Sequence, residues 1–139
     1  MAPDVTTLVV DAGSSIVGIF CVDDGTYRAY MGAEIPQGVS RIVEADEVVT
    51  YNGDRYDLEQ IANLAGLPSG VSIQLSGRHT DMQPLCWGNI MGSSLRTTYR
   101  RHFGEDPPDF PDTYEGDNEC DCHMTWRLWD HLVRQPRGR

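Results

Sequence analysis

Three aspartates in this chain stand where a carboxylate is costly to keep charged. Asp11 ends the apolar run Leu8-Val9-Val10, which reads as a buried strand. Asp57 follows the apolar pair Val48-Val49 and a polar turn, and on a helix it shares a face with Ile61 and Leu64. Asp121 shares a face with Thr125, Leu128 and Leu132 on a last helical stretch. Each acid lies at the end of a stripe that its element buries, so its lost hydration must be offset by a cation or by hydrogen bonds. Three acids arriving from separate elements make an oxygen-rich set suited to Mg²⁺ or Mn²⁺. A pair of such ions, about 3.5–4 Å apart, activates a water and stabilises a leaving oxygen in phosphodiester hydrolysis. The plainer alternative is that Asp57 and Asp121 are first-turn helix acids favoured by the macrodipole.

The elements that must position these acids follow from periodicity and turn residues. Strands are expected over residues 6–11, 16–22 and 26–31, with Asp23-Asp24-Gly25 as a hairpin turn. A short helix at 40–45 leads into a strand at 47–51, and a helix at 56–64 is stopped by Ala65-Gly66-Leu67-Pro68. A fifth strand is expected at 71–75, helices at 93–103 and 118–134, and irregular, proline-rich chain at 105–117. Three meandering strands followed by alternating strands and helices predict an α/β class with a mixed sheet flanked by helices. The expected organisation is a single domain over 1–135 with a frayed tail at 136–139.

At 139 residues with 40% hydrophobic content, the chain can bury a real core. Its net charge is −10 and every basic residue is Arg. Such a balance disfavours non-specific nucleic-acid binding, which rests on phosphate neutralisation. A metal-dependent nuclease escapes that objection because its cations bring positive charge to the substrate. No apolar run is long enough to span a membrane, and no basic-then-apolar leader opens the sequence, so a cytoplasmic location is expected. The four cysteines are expected to be reduced thiols. Cys120-Asp121-Cys122-His123 lacks the second ligand pair that zinc requires, so buried helix thiols are the expected reading.

The segment from Val48 to Leu58 resembles the second motif of the metal-dependent 3′–5′ exonucleases of the RNase H-like superfamily, with Asn52, Tyr56 and Asp57 in its defining places. The segment 117–128 is similar to the third motif of these DEDD-type domains, including the proofreading domain of B-type polymerases, at Asn118, Asp121, Thr125 and Leu128. His79-Thr80-Asp81 looks like the segment between those motifs. The resemblance implies an RNase H-like fold and exonucleolytic hydrolysis of DNA or RNA, at a single-stranded 3′ end or a nicked duplex. It implies Asp11, Asp57 and Asp121 as catalytic metal ligands for Mg²⁺ or Mn²⁺, with Asn52, Tyr56 and Ser14 as substrate contacts. It also implies a minimal domain, short between Met31 and Asp46, that acts with a protein partner or as a homo-oligomer.

Two positions depart from the family's pattern. Its first motif is Asp-x-Glu, and here Asp11-Ala12-Gly13 leaves one carboxylate missing. Asp117 stands where the tyrosine general base belongs, and Gly116 where a histidine would be. Candidate replacements are Glu34, Asp23 or Glu119 for the acid, and Asp117, His123 or His79 for the base. The alternative is an exonuclease-like binding module that has lost catalysis. The Asp11-Ala-Gly-Ser-Ser turn also resembles phosphate-binding turns of actin-like and resolvase-type proteins, but no second such turn follows. Arg96, Arg100 and Arg101 with Tyr99 are weighed as a backbone-contacting face against a solvated helix surface. Trp126 and Trp129 are expected to pack rather than to stack bases.

Overall fold

The alternation of residues 7–12 decides how the molecule is layered. In β1 (Thr7–Ala12), Leu8, Val10 and Ala12 join one apolar cluster while Val9 joins another on the opposite side of the sheet. Asp11 has the parity of Val9 and is directed to the second side. β1 pairs antiparallel with β2 (Ile16–Cys21), which pairs antiparallel with β3 (Thr26–Met31). On its other edge β1 pairs parallel with β4 (Glu47–Thr50), followed by a parallel β5 (His79–Asp81). The order is β3-β2-β1-β4-β5. This mixed five-stranded sheet flanked by helices is the expected α/β class and is compatible with an RNase H-like fold.

The computed structural model describes residues 6–67, 75, 77–87 and 94–134. On one face α1 (Ile35–Glu44) and α2 (Leu58–Leu64) bury Ile35, Ile42, Leu58 and Ile61 against Leu8, Val10, Val17 and Ile19. On the other face α5 (Tyr114–Trp129) lays Cys122, Leu128 and Trp129 over Val9 and Val49, with Met82 of α3 (Met82–Trp87) beside them. Side chains as fully enclosed as Val9, Val49 and Leu128 contribute roughly 1.5–3 kcal/mol each. Helix α4 (Leu95–Phe103), capped by Ser94, packs Tyr99 against Cys120 and Met124 of α5.

Several expected boundaries move. Helix α1 begins five residues before the expected start at 40, because Pro36 suits a first turn and Gly38 lies directly against the Tyr30 ring. The strand expected at 71–75 lies outside the described residues except for Leu75, which is buried in the first cluster; among the described residues the fifth strand of the sheet is β5, which is not one of the expected strands. The tail at 136–139 and the helix start at Ser93 also lie outside them. The last helix starts at Tyr114, where Thr113 caps it by accepting from Gly116 N–H. The preceding segment is anchored, with Phe110 against the His123 ring and Gly116 against the Pro111 carbonyl.

One tertiary contact fixes α5 over the end of the sheet on its own side. Asn118 of α5 sits on Gly18 of β2, where a Cβ would come within 1.5 Å of Asn118 Oδ1. From there its amide donates to the Asp11 carbonyl at 2.9 Å and to Asp11 Oδ2 at 3.1 Å, and Oδ1 accepts from Tyr27 at 2.7 Å. Gly18→Ala is expected to expel this amide and cost roughly 2–4 kcal/mol, through overpacking and through polar groups left unpaired. Urea unfolding should show the midpoint fall with the slope unchanged. A midpoint equal to that of the parent protein would mean that Asn118 does not bridge β1 and β2.

Candidate active site

The three aspartates reach one cavity of about 550 Å³ at the end of the sheet where β1 stops. Its walls include Asp11, Gly13, Asn52, Tyr56, Asp57 and, on α5, Tyr114, Asp117 and Asp121. Asp57 is delivered by a π-helical turn, Gly53–Asp57, inserted between β4 and α2. Such turns re-aim side chains and recur at functional sites. Asn52 enters that turn with φ 71°, a left-handed conformation that asparagine tolerates, and its N–H donates to Asp81 Oδ1 at 2.7 Å.

These acids repel one another where each carboxyl is itself largely buried. Burial, followed by the charges of Asp57 and Asp121, holds the Asp11 carboxyl well above the ordinary carboxylate range. Burial raises Asp57 to about 8, with the charges of Asp81 and Asp121 acting the same way and a bond from the Ala12 backbone opposing them. Asp121 is raised to about 6, again by burial first, with its bond to Asp11 and the Arg96 guanidinium pulling down and Asp117 pushing up. Two carboxyls joined by a hydrogen bond must hold a proton between them. Asp57 is 2% exposed, and its Oδ2 has no partner, as does Asn52 Oδ1. Unpartnered buried oxygens are costly unless something else completes them.

Hard oxygen donors in an acidic cavity match the chemistry of Mg²⁺ or Mn²⁺. Their present spacing is that of a proton-linked pair with a third acid nearby. Among the described residues, no three His, Cys, Asp or Glu side chains stand close enough to hold an ion as they are. The donor types fit a divalent cation; the closed ligand set is not preassembled.

The remaining expected residues divide clearly. Tyr56, 47% exposed, and Asp117 line the cavity. Ser14 does not line it, although its Oγ is 3.4 Å from the hydroxyl of Tyr114, which does. His79, a candidate base, has its Nε2 bonded with Thr50 Oγ1 at 2.7 Å within the β4–β5 edge and is not among the cavity walls. His123 does not line the cavity either: two residues beyond Asp121 the helix has turned it toward the rings of Phe110 and Trp126. Burial and the nearby Arg127 lower its basicity.

None of the three candidate replacement acids reaches the cavity wall. Glu34 pairs with Arg28 at 3.2 Å, and Asp23 accepts from Thr7 N–H at the opposite end of β1. Cys120 and Cys122 belong to different apolar clusters and all four cysteines are free thiols, which agrees with buried helix thiols. The supposed basic and aromatic face of α4 loses Tyr99, which is fully buried and accepts from Arg127. Arg100 pairs with Asp106. Trp129 is buried and Trp126 meets Phe20 at 5.7 Å, so both pack, as expected.

Tyr114 was missed as a cavity residue. Two signals marked it: Thr113 is a good N-cap followed by an acidic first turn, and Tyr114 precedes Asp121 by seven residues, two helical turns on one face. The prolines before it concealed the helix start.

No protein-family model matches the chain, and no curated protein sequence is significantly similar to it. Among solved structures, the chain is similar to the family B DNA polymerase from the hyperthermophilic archaeon Pyrobaculum calidifontis. The TM-score is 0.67 at 16% identity, covering 94% of this chain and 25% of the polymerase chain. The chain thus spans about a quarter of that protein's length, and the likeness is one of fold. No helix among the described residues is long and apolar enough to cross a membrane.

Proposed function

We propose that this chain is a divalent-cation-dependent 3′–5′ exonuclease, hydrolysing terminal phosphodiesters of DNA or RNA. The observation that carries the reading is the gathering of Asp11, Asp57 and Asp121, from a strand, a π-helical turn and a helix, into one open cavity. Likeness to a DNA polymerase's fold makes nucleic acid the natural substrate class. Asp11, Asp57 and Asp121 would hold Mg²⁺ or Mn²⁺, which supplies an activated water and charge stabilisation at the leaving oxygen. Asn118 keeps Asp11 in place through its two bonds, and the Ala12 backbone does the same for Asp57. Asp117, exposed beside Asp121, is the cavity-lining candidate for accepting the water's proton. Asn52 and the half-exposed Tyr56 would contact the terminal nucleotide.

The test is a 5′-labelled oligonucleotide incubated with the protein in manganese. A ladder of products shortened from the 3′ end, abolished by a chelator, is the expected result. Intact single-stranded DNA, duplex and RNA after prolonged incubation would remove the hydrolytic reading.

A second reading, a non-catalytic exonuclease-like binding module, is favoured by the missing carboxylate at Gly13 and by the lack of a preassembled ligand set among the described residues. Calorimetric titration with Mn²⁺ separates the two, since a binding module with a degenerate site takes up one ion weakly or none.

A further inference from the structure

The empty position in the sequence is a filled position in space. A Cβ on Gly13 would lie 2.6 Å from Tyr114 Oη and 3.0 Å from Ile16 Cγ2. The phenol oxygen is therefore seated where any side chain at position 13 would begin. Tyr114 Oη accepts from Ser15 N–H at 3.3 Å, with Ser14 Oγ at 3.4 Å. These bonds tether the hydroxyl at the mouth of the cavity that Gly13 and Tyr114 both line. Either hydroxyl can donate in the contact with Ser14; when Ser14 donates, the phenol accepts from both neighbours and keeps its own hydrogen for another acceptor.

The rest of the wall explains what that hydrogen is worth. Asp11, Asp57, Asp117 and Asp121 face the same space. A phosphodiester entering it meets four acids and needs donors. Charge-assisted bonds to phosphate oxygens are the stronger class of hydrogen bond. We infer that Tyr114 is a substrate-binding residue whose hydroxyl donates to a non-bridging oxygen of the terminal phosphodiester, and that the absence of a side chain at Gly13 provides the space this hydroxyl requires. The assignment rests on the nucleic-acid reading of the cavity, but not on catalysis.

Binding of a labelled oligothymidylate with a terminal phosphorothioate linkage, followed by fluorescence anisotropy in manganese, tests it. Tyr114→Phe should weaken binding between about tenfold and a hundredfold, the range for losing a bond to a charged group. Gly13→Ala should weaken it equally, because its methyl group displaces the hydroxyl. In the Tyr114→Phe background the same alanine should cost less than about twofold, since the ring carbon Cζ lies at 3.4 Å, an ordinary contact, and the Ile16 methyl at 3.0 Å has to give by only a few tenths of an ångström. Thermal melts confirm that each variant is folded. Unchanged binding by Tyr114→Phe, or losses from the two substitutions that simply multiply, overturns the assignment and leaves the hydrolase reading standing. A tenfold loss in a protein that cleaves nothing supports Tyr114 and removes only catalysis. Failure of the parent protein to bind at all removes both.

Discussion

Asp57→Asn should reduce cation-dependent cleavage by roughly a thousandfold and at the same time stabilise the cation-free protein. The carboxyl is enclosed, Oδ2 lacks a partner, and the charges of Asp81 and Asp121 act on it together with burial. An amide of the same shape removes the repulsion and the cost of burying a charge, so the melting temperature should rise. Cleavage should fall because the amide supplies no anionic ligand. Several kcal/mol of charge stabilisation are then lost, at about 1.4 kcal/mol per tenfold in rate. The opposite signs make the prediction discriminating. A residue that matters only for folding loses stability and activity together. If Asp57→Asn melts lower than the parent protein, the carboxylate is a structural partner and its place in the site must be abandoned.

Stability of the cation-free protein should fall as pH rises from about 4 to about 8, and saturating manganese should flatten that fall. The sign follows from proton binding. Asp57, raised to about 8, and Asp121, raised to about 6, hold protons in the folded state at pH values where the unfolded chain has already released them. Asp11 is displaced in the same direction. The folded form binds more protons, so raising the pH favours unfolding by about 1.4 kcal/mol per pH unit for each proton so retained. The contribution is complete below the ordinary carboxylate range and is lost as pH passes the raised values. A cation replaces the protons as the neutralising partner and stabilises by mass action where the acids are ionised. Urea unfolding across this range, with and without manganese, measures both effects. The slope should be shallower in Asp57→Asn. A cation-free protein whose stability is level or rises between about pH 6 and pH 8 would show that these carboxyls are not protonated together.

Local pattern carried the first four strands and most of the helices. The apolar parity of β1, the hairpin turn at Asp23–Gly25 and the stop signals after α2 are properties of neighbouring residues, legible without coordinates. So were the three aspartates, because a carboxylate that ends a buried stripe is conspicuous in one dimension. The errors came where a residue's meaning depends on distant chain. The helix expected from 40 begins at Ile35, and Gly38 within it has the Tyr30 ring in its side-chain space. Which partners His79 and His123 find is likewise tertiary: one is bonded to Thr50 and the other is set among aromatic rings.

Position 13 shows the division most sharply. Along the chain, Gly13 is the absence of an acid and Tyr114 is an aromatic after a proline-rich stretch. Periodicity and propensity act over a few residues, so they could place Asp11, Asp57 and Asp121 at the ends of their own elements and nothing more. Bringing those acids within repelling distance, and bringing a phenol onto a glycine 101 positions away, required α5 to dock across β1 and β2 through Asn118 and Gly18. That docking is set by side-chain volume and hydrogen-bond satisfaction between remote segments, which no local pattern encodes.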